Sequence, residues 1–185
     1  MRVIIADYKA KHRENAENEV SYFKTQRSLE DAVSLAALAK KPCGKRFSHQ
    51  RRIPGSVLCE VEKKLLSAIP TIRQAKTFDE LHRIIETEIR VIKGVGELMV
   101  YDTALRIGAK LRLEPKEVFL HCGTRDGARK LGLNVRRRSV PLAELPAPLW
   151  RLPAKEIEDV LCIYKDILGN TDRKRTEFGR KVTCG

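Results

Sequence analysis

The chain is short of aromatic residues, of paired cysteines and of acids to balance its bases. Each shortage removes a class of protein. Phe, Trp and Tyr make up 5% of 185 residues, with a single tryptophan. That excludes a β-sandwich or barrel built on aromatic strands. It also argues against a single-strand binder whose affinity rests on many stacking rings. The five cysteines, Cys43, Cys59, Cys122, Cys162 and Cys184, include no Cys-x-x-Cys pair, so no zinc ribbon or knuckle is indicated. Cys43, His49 and Cys59 fit no tetrahedral spacing. No metal or cofactor is therefore expected, and the thiols read as free in a reducing cytoplasm. The apolar start Val3-Ile4-Ile5-Ala6 meets Asp7 too soon for a signal peptide. No apolar run approaches the length of a membrane span. The expectation is a soluble cytoplasmic protein with no membrane partner.

What is present is positive charge. The chain has 37 Lys and Arg against 24 Asp and Glu, a net +13. The excess is concentrated. Residues 40–52 hold six bases and no acid (Lys40, Lys41, Lys45, Arg46, Arg51, Arg52). Residues 125–138 hold six bases, Arg125, Arg129, Lys130, Arg136, Arg137 and Arg138, and one acid, Asp126. Residues 173–181 hold five bases and one acid. The remainder carries 20 bases and 22 acids, so three patches sit on a nearly neutral body. Solvated basic loops would account for the patches, but their concentration points to a polyanionic partner, most often nucleic acid.

Apolar residues, at 42%, suffice for a core. Their spacing is mostly helical. The first 26 residues are polar, and their apolar start reads equally as strand or helix turn. Ser28 caps a helix that ends near Lys40, before Pro42. Ser56 is placed to cap the next, which Pro70 stops. Thr77-Phe78-Asp79-Glu80 is a capping box. Phe78, Leu81, Ile84, Ile85, Ile89 and Ile92 then repeat at three and four residues. A further helix runs from Glu97 to about Leu113. Thr124 reads as the cap of a short helix over 125–131, and a final amphipathic helix covers 154–168. The expected fold is an all-α, compact multi-helix domain. Its parts are an N-terminal helical segment with a basic connector (1–55), a helical core (56–170) and a flexible basic tail (171–185).

Ile92-Lys93-Gly94-Val95-Gly96, between two strong helices, resembles the helix–hairpin–helix DNA-binding motif, whose hairpin has the form hydrophobic-x-Gly-hydrophobic-Gly. The resemblance covers about 77–113. Two glycines let the backbone turn tightly and expose its N–H groups. Those groups join the positive end of the next helix to make a phosphate site that reads no base sequence. On this reading Val95 plugs the turn into the core and Lys93 adds charge.

Downstream, Val118-Phe119-Leu120-His121 runs through Cys122-Gly123-Thr124 to Leu131-Gly132-Leu133. The layout is similar to the DNA glycosylases of the helix–hairpin–helix superfamily. The chain departs from them in chemistry. His121 stands where they place a catalytic Asp, Leu98 where the lyase members place a Lys, and no iron–sulfur cysteine cluster follows. No catalytic residue is assigned. Asp102 reads as a local charge partner, Asp7 as a lone acid, and Glu156, Glu158 and Asp159 as acids favoured by a helix N-terminus.

The expected function is non-sequence-specific DNA binding, duplex rather than single-stranded, in repair, recombination or processing, with RNA left open. The contacts expected are Lys93, Gly94, Val95 and Gly96; Lys45, Arg46, His49, Arg51 and Arg52; and Thr124, Arg125, Arg129, Lys130, Arg136, Arg137 and Arg138. The alternatives are a diverged glycosylase or nuclease, and a helical module that binds an acidic protein.

Overall fold

The computed structural model describes residues 1–169, and 62% of these are helical. The basic tail expected over 171–185 lies outside the described residues. The chain divides into two bodies. Among the described residues, one is Glu14–Pro115, and the other joins Met1–Arg13 to residues 116–169. The basic connector is thus internal to the first body rather than at a boundary.

Helix α2 (Arg13–Lys24) leads into the first body, which holds α3 (Leu29–Ala37), α4 (Gly55–Ser67), the short α5 (Ile69–Ile72), α6 (Phe78–Ile89) and α7 (Glu97–Leu111). Helix α3 packs on α4 and α7, and α6 on α7. The helices begin where local chemistry makes them begin. The Ser28 hydroxyl accepts from the Asp31 N–H at 2.9 Å. Thr77 accepts from the Glu80 N–H at 3.2 Å, while the Glu80 carboxylate reaches back to the Lys76 N–H at 2.7 Å. That reciprocal pair satisfies two N–H groups which the helix itself cannot. The three-and-four spacing of α6 buries Phe78, Leu81, Ile85 and Ile89. Full burial of such side chains stabilises by about 1.5–3 kcal/mol each.

One expected start differs, and one expected stop has a second role. Helix α4 opens at Gly55 behind Pro54, so Ser56 lies inside it and caps nothing. Pro70 does stop α4, but it also sits in the first turn of α5, where its missing N–H has no cost.

The second body contains α1 (Arg2–Lys11), strand β1 (Glu117–Phe119), α8 (Cys122–Lys130), strand β2 (Ser139–Pro141) and α9 (Ala154–Ile163). The apolar start at Val3 resolves as helix. Tyr8 is fully buried, and its hydroxyl donates to Asp159 at 2.7 Å. The fold is mostly helical but not purely so. β1 and β2 pair antiparallel, Val118 opposite Val140, and put both valines in the core. Three-residue strands carry too little alternation to register as a period. Helix α8 opens three residues before the expected start, at Cys122 with His121 as its N-cap residue, so Thr124 is not a cap. The final helix ends at Ile163 rather than Leu168. Tyr164 caps it and donates its hydroxyl to Asp7 at 2.7 Å.

Candidate nucleic-acid interface

The turn between α6 and α7 is built by two buried plugs and three exposed residues. Ile92 (5% exposed) and Val95 (2%) face the core, while Lys93, Gly94 and Gly96 face solvent. The Val95 N–H donates to the Ile92 carbonyl at 3.1 Å and closes the turn. Gly94 has φ of +97°, a conformation side chains rarely adopt. Among the described residues, neither the Gly94 nor the Gly96 N–H donates to a backbone carbonyl. Gly96 is the N-cap residue of α7 and supplies no side-chain cap. The first N–H groups of α7, like those of Gly94 and Gly96, therefore have no carbonyl partner within the helix or the turn. Arg90 adds a feature that the sequence pattern does not reveal. Its guanidinium, exposed at the end of α6, donates to the Val95 carbonyl at 2.6 Å. The arginine thus occupies a carbonyl whose partial negative charge would otherwise oppose an anion. Glu97 is the acid in the first turn of α7.

The basic connector lies in the same body. Residues 40–46 fold back on themselves, with Lys40 and Arg46 bridged and the Phe47 N–H donating to the Ala39 carbonyl at 2.9 Å. Phe47 and Gln50 are buried, and between and around them Lys45, Arg46, His49, Arg51 and Arg52 are exposed. The buried pair is fastened to α7. Gln50 donates to Asp102 and accepts from Arg106 at 3.4 Å. The Arg106 guanidinium lies 3.9 Å from the centre of the Phe47 ring. It also donates to Glu19 at 2.8 Å, so its charge is compensated where it is buried. His49 Nδ1 lies 3.6 Å from Asp102. Burial of Asp102 works against its ionisation, but the hydrogen bond from His49 and the Arg106 charge outweigh that, and its pKa falls below the usual carboxylate value. Asp102 is thus the local charge partner that its helix position implies.

The connector and the turn meet through α4. A Cβ on Gly94 would lie 3.9 Å from the Val57 side chain, in the first turn of α4. A Cβ on Gly55, at the start of that helix, would lie 3.3 Å from the Arg46 guanidinium. Arg46 itself donates to the Ile53 carbonyl at 2.6 Å. One of the basic segments therefore shares a neighbourhood with the glycine turn. Val57 and Arg90, which make that neighbourhood, carry no signal in sequence beyond ordinary helix positions.

The remaining site candidates lie in the other body. Arg129, Lys130, Arg136 and Arg137 are exposed. Arg125 is partly buried and donates to the Val135 and Arg137 carbonyls at 2.6 and 3.0 Å, holding the loop after α8 in shape. Arg138 is partly buried too, with its carbonyl accepting from the Leu120 N–H at 2.8 Å. Thr124 is fully buried, and its hydroxyl donates to Glu158 at 2.8 Å. It lies inside the protein rather than on a binding surface. His121 Nε2 is 2.5 Å from the same carboxylate and is likewise buried. Glu156 pairs with Arg13 at 2.5 Å, so the acids of α9 are structural partners as well as favourable dipole charges. Asp7 is held below the usual carboxylate pKa, chiefly by its hydrogen bond with Lys11. Among the described residues no group of three or more His, Cys, Asp or Glu is placed to hold a metal ion. No helix among them is long and apolar enough to cross a membrane. In comparison with known proteins, the chain matches no family model, no curated protein and no solved structure.

Proposed function

We propose that this protein binds the sugar–phosphate backbone of duplex DNA without reading its sequence, and that residues 77–113 act as a helix–hairpin–helix element. The observation that carries the reading is the exposed Gly94–Gly96 turn, whose two glycine N–H groups donate to no backbone carbonyl and whose Val95 carbonyl is already satisfied by Arg90. Phosphate oxygens accept from such N–H groups, and the N-terminal end of α7 favours their charge. Lys93 and the connector bases add the long-range attraction. Contacts of this kind fix position on a duplex and carry no base information. DNA repair, recombination and processing all need proteins of this sort.

The clean test is Gly96→Asp. Gly96 has ordinary extended backbone and nothing within 4 Å of a would-be Cβ, so the variant folds. It places a carboxylate against the phosphate. Duplex affinity, read by fluorescence anisotropy, should fall by about tenfold or more, the size of one lost charged hydrogen bond. Unchanged duplex affinity in a variant with unaltered circular dichroism would reject the assignment. Wild-type affinity should also fall steeply with salt, because each neutralised phosphate releases counterions.

A further inference from the structure

Trp150 is the only tryptophan of the chain and is 54% exposed. Burial of a large ring is the usual outcome, so this exposure calls for a cause. The ring is not loose. Its Nε1–H donates to the Leu145 carbonyl at 2.8 Å, which fixes one edge against the protein. It rides on a short 3-10 turn (Ala147–Arg151) framed by Pro146, Pro148 and Pro153. Leu149 and Leu152, on either side, are buried and anchor that turn. The indole is therefore held ready in one orientation, and most of its ordering cost is already met in the fold.

Its surroundings are basic. Arg151 is the next residue and is exposed. Glu144, adjacent to the Leu145 that holds the ring, pairs with Arg137 at 2.6 Å, which brings that guanidinium to this side of the body. A rigid, outward aromatic ring beside guanidinium groups has the composition of a base-stacking site, with a π-face for the base and cations for the flanking phosphates. A protein partner with an acidic surface would answer the charge but would not need the ring fixed by its N–H.

We propose that Trp150, with Arg151 and Arg137, is a stacking platform for a single unpaired nucleobase. The inference rests on nucleic acid being the polyanion this protein binds, and it adds a specificity, for an unpaired base, that the phosphate contacts of the glycine turn lack. One ring serves one base, which accords with the scarcity of aromatics.

Because the chain has one tryptophan, its fluorescence reports on this site alone. The full chain is titrated with a fluorescein-labelled single-stranded oligonucleotide, with the same strand made of abasic sugar-phosphate units, and with a fully paired duplex. Anisotropy of the label reads binding, and tryptophan emission reads stacking. The expected result is quenching by the base-bearing strand and not by the abasic one. Trp150→Ala should weaken the base-bearing strand by about tenfold, within the range of one stacked base, and Trp150→Phe should restore most of it. Binding without quenching, equal quenching by the abasic strand, or full affinity in Trp150→Ala would each overturn the proposal and leave the ring to a protein partner. Gly96→Asp separates the two readings. Lost duplex affinity with quenching by the single strand intact supports both. Retained duplex affinity with quenching intact removes the hairpin reading alone. Absence of any nucleic-acid binding removes both.

Discussion

Two glycine-bearing segments stand at the starts of helices, the Lys93–Gly96 turn before α7 and the opening of α8 from Cys122 to Gly127, and in sequence they look alike. In the folded chain their glycines serve opposite ends. Gly94 and Gly96 stand in the open, and a Cβ on either would meet at most the Val57 side chain at 3.9 Å. Gly123 and Gly127 are there so that α9 can come close. A Cβ on Gly123 would lie 2.6 Å from Cys162 Sγ, and one on Gly127 2.8 Å from the Leu161 carbonyl carbon. The polar side chains follow the same division. Lys93 is exposed, while His121 and Thr124 turn inward to share Glu158. What a glycine does is decided by what lies across from it, solvent in one case and a helix backbone in the other.

The largest expected effects come from breaking the packed start of α8. Glu158→Ala leaves His121 and Thr124 buried with their partner gone, and should cost about 3 kcal/mol of stability, read from the urea midpoint at constant slope. Gly127→Ala follows, because backbone cannot yield as a flexible side chain can. Parting α8 from α9 should cost about 1–3 kcal/mol, visible as a lowered thermal midpoint. The open turn should respond weakly by the same measures. Gly94→Ala meets the penalty of its positive φ alone, about 1 kcal/mol. Gly96→Ala should leave stability within about 0.5 kcal/mol of wild type. Equal losses at Gly96 and Gly127 would erase the distinction between the open turn and the packed helix start.

The division was only partly legible in sequence. Helix α6 could be read because its capping box and its apolar stripe point to the same element, and both are local. The turn after it could be read because Gly-x-Gly between two helices has few uses. The fate of Thr124 could not. A hydroxyl followed by Arg125 and Asp126 has the pattern of a cap, and only the arrival of Glu158, 34 residues later, turns it inward. The short strands escaped for the same reason, since Val118 and Val140 are paired by topology and not by a period. Among the site candidates, the exposure of Lys93 and the burial of Val95 followed from the motif, whereas Arg90 and Val57 needed the fold to bring them there.

The smallest effect separates the way the two regions are held. Backbone contact seats the start of α8 on α9, but the basic connector is fastened to α7 partly by charge, through Asp102, His49 and Arg106. Asp102 has a pKa below its unfolded value, so its contribution is full above about pH 4, the range of a free carboxylate, and is lost as pH falls through the folded value. Asp102→Asn keeps the acceptor for Gln50 but removes the charge. The variant should therefore be less stable than wild type at neutral pH, with the gap narrowing below about pH 4. Chemical denaturation at a series of pH values measures that gap directly. A gap that stays constant into acid would mean that Asp102 holds the connector by hydrogen bonding alone, and that charge plays no part in fastening Gln50 and the bases around it to α7.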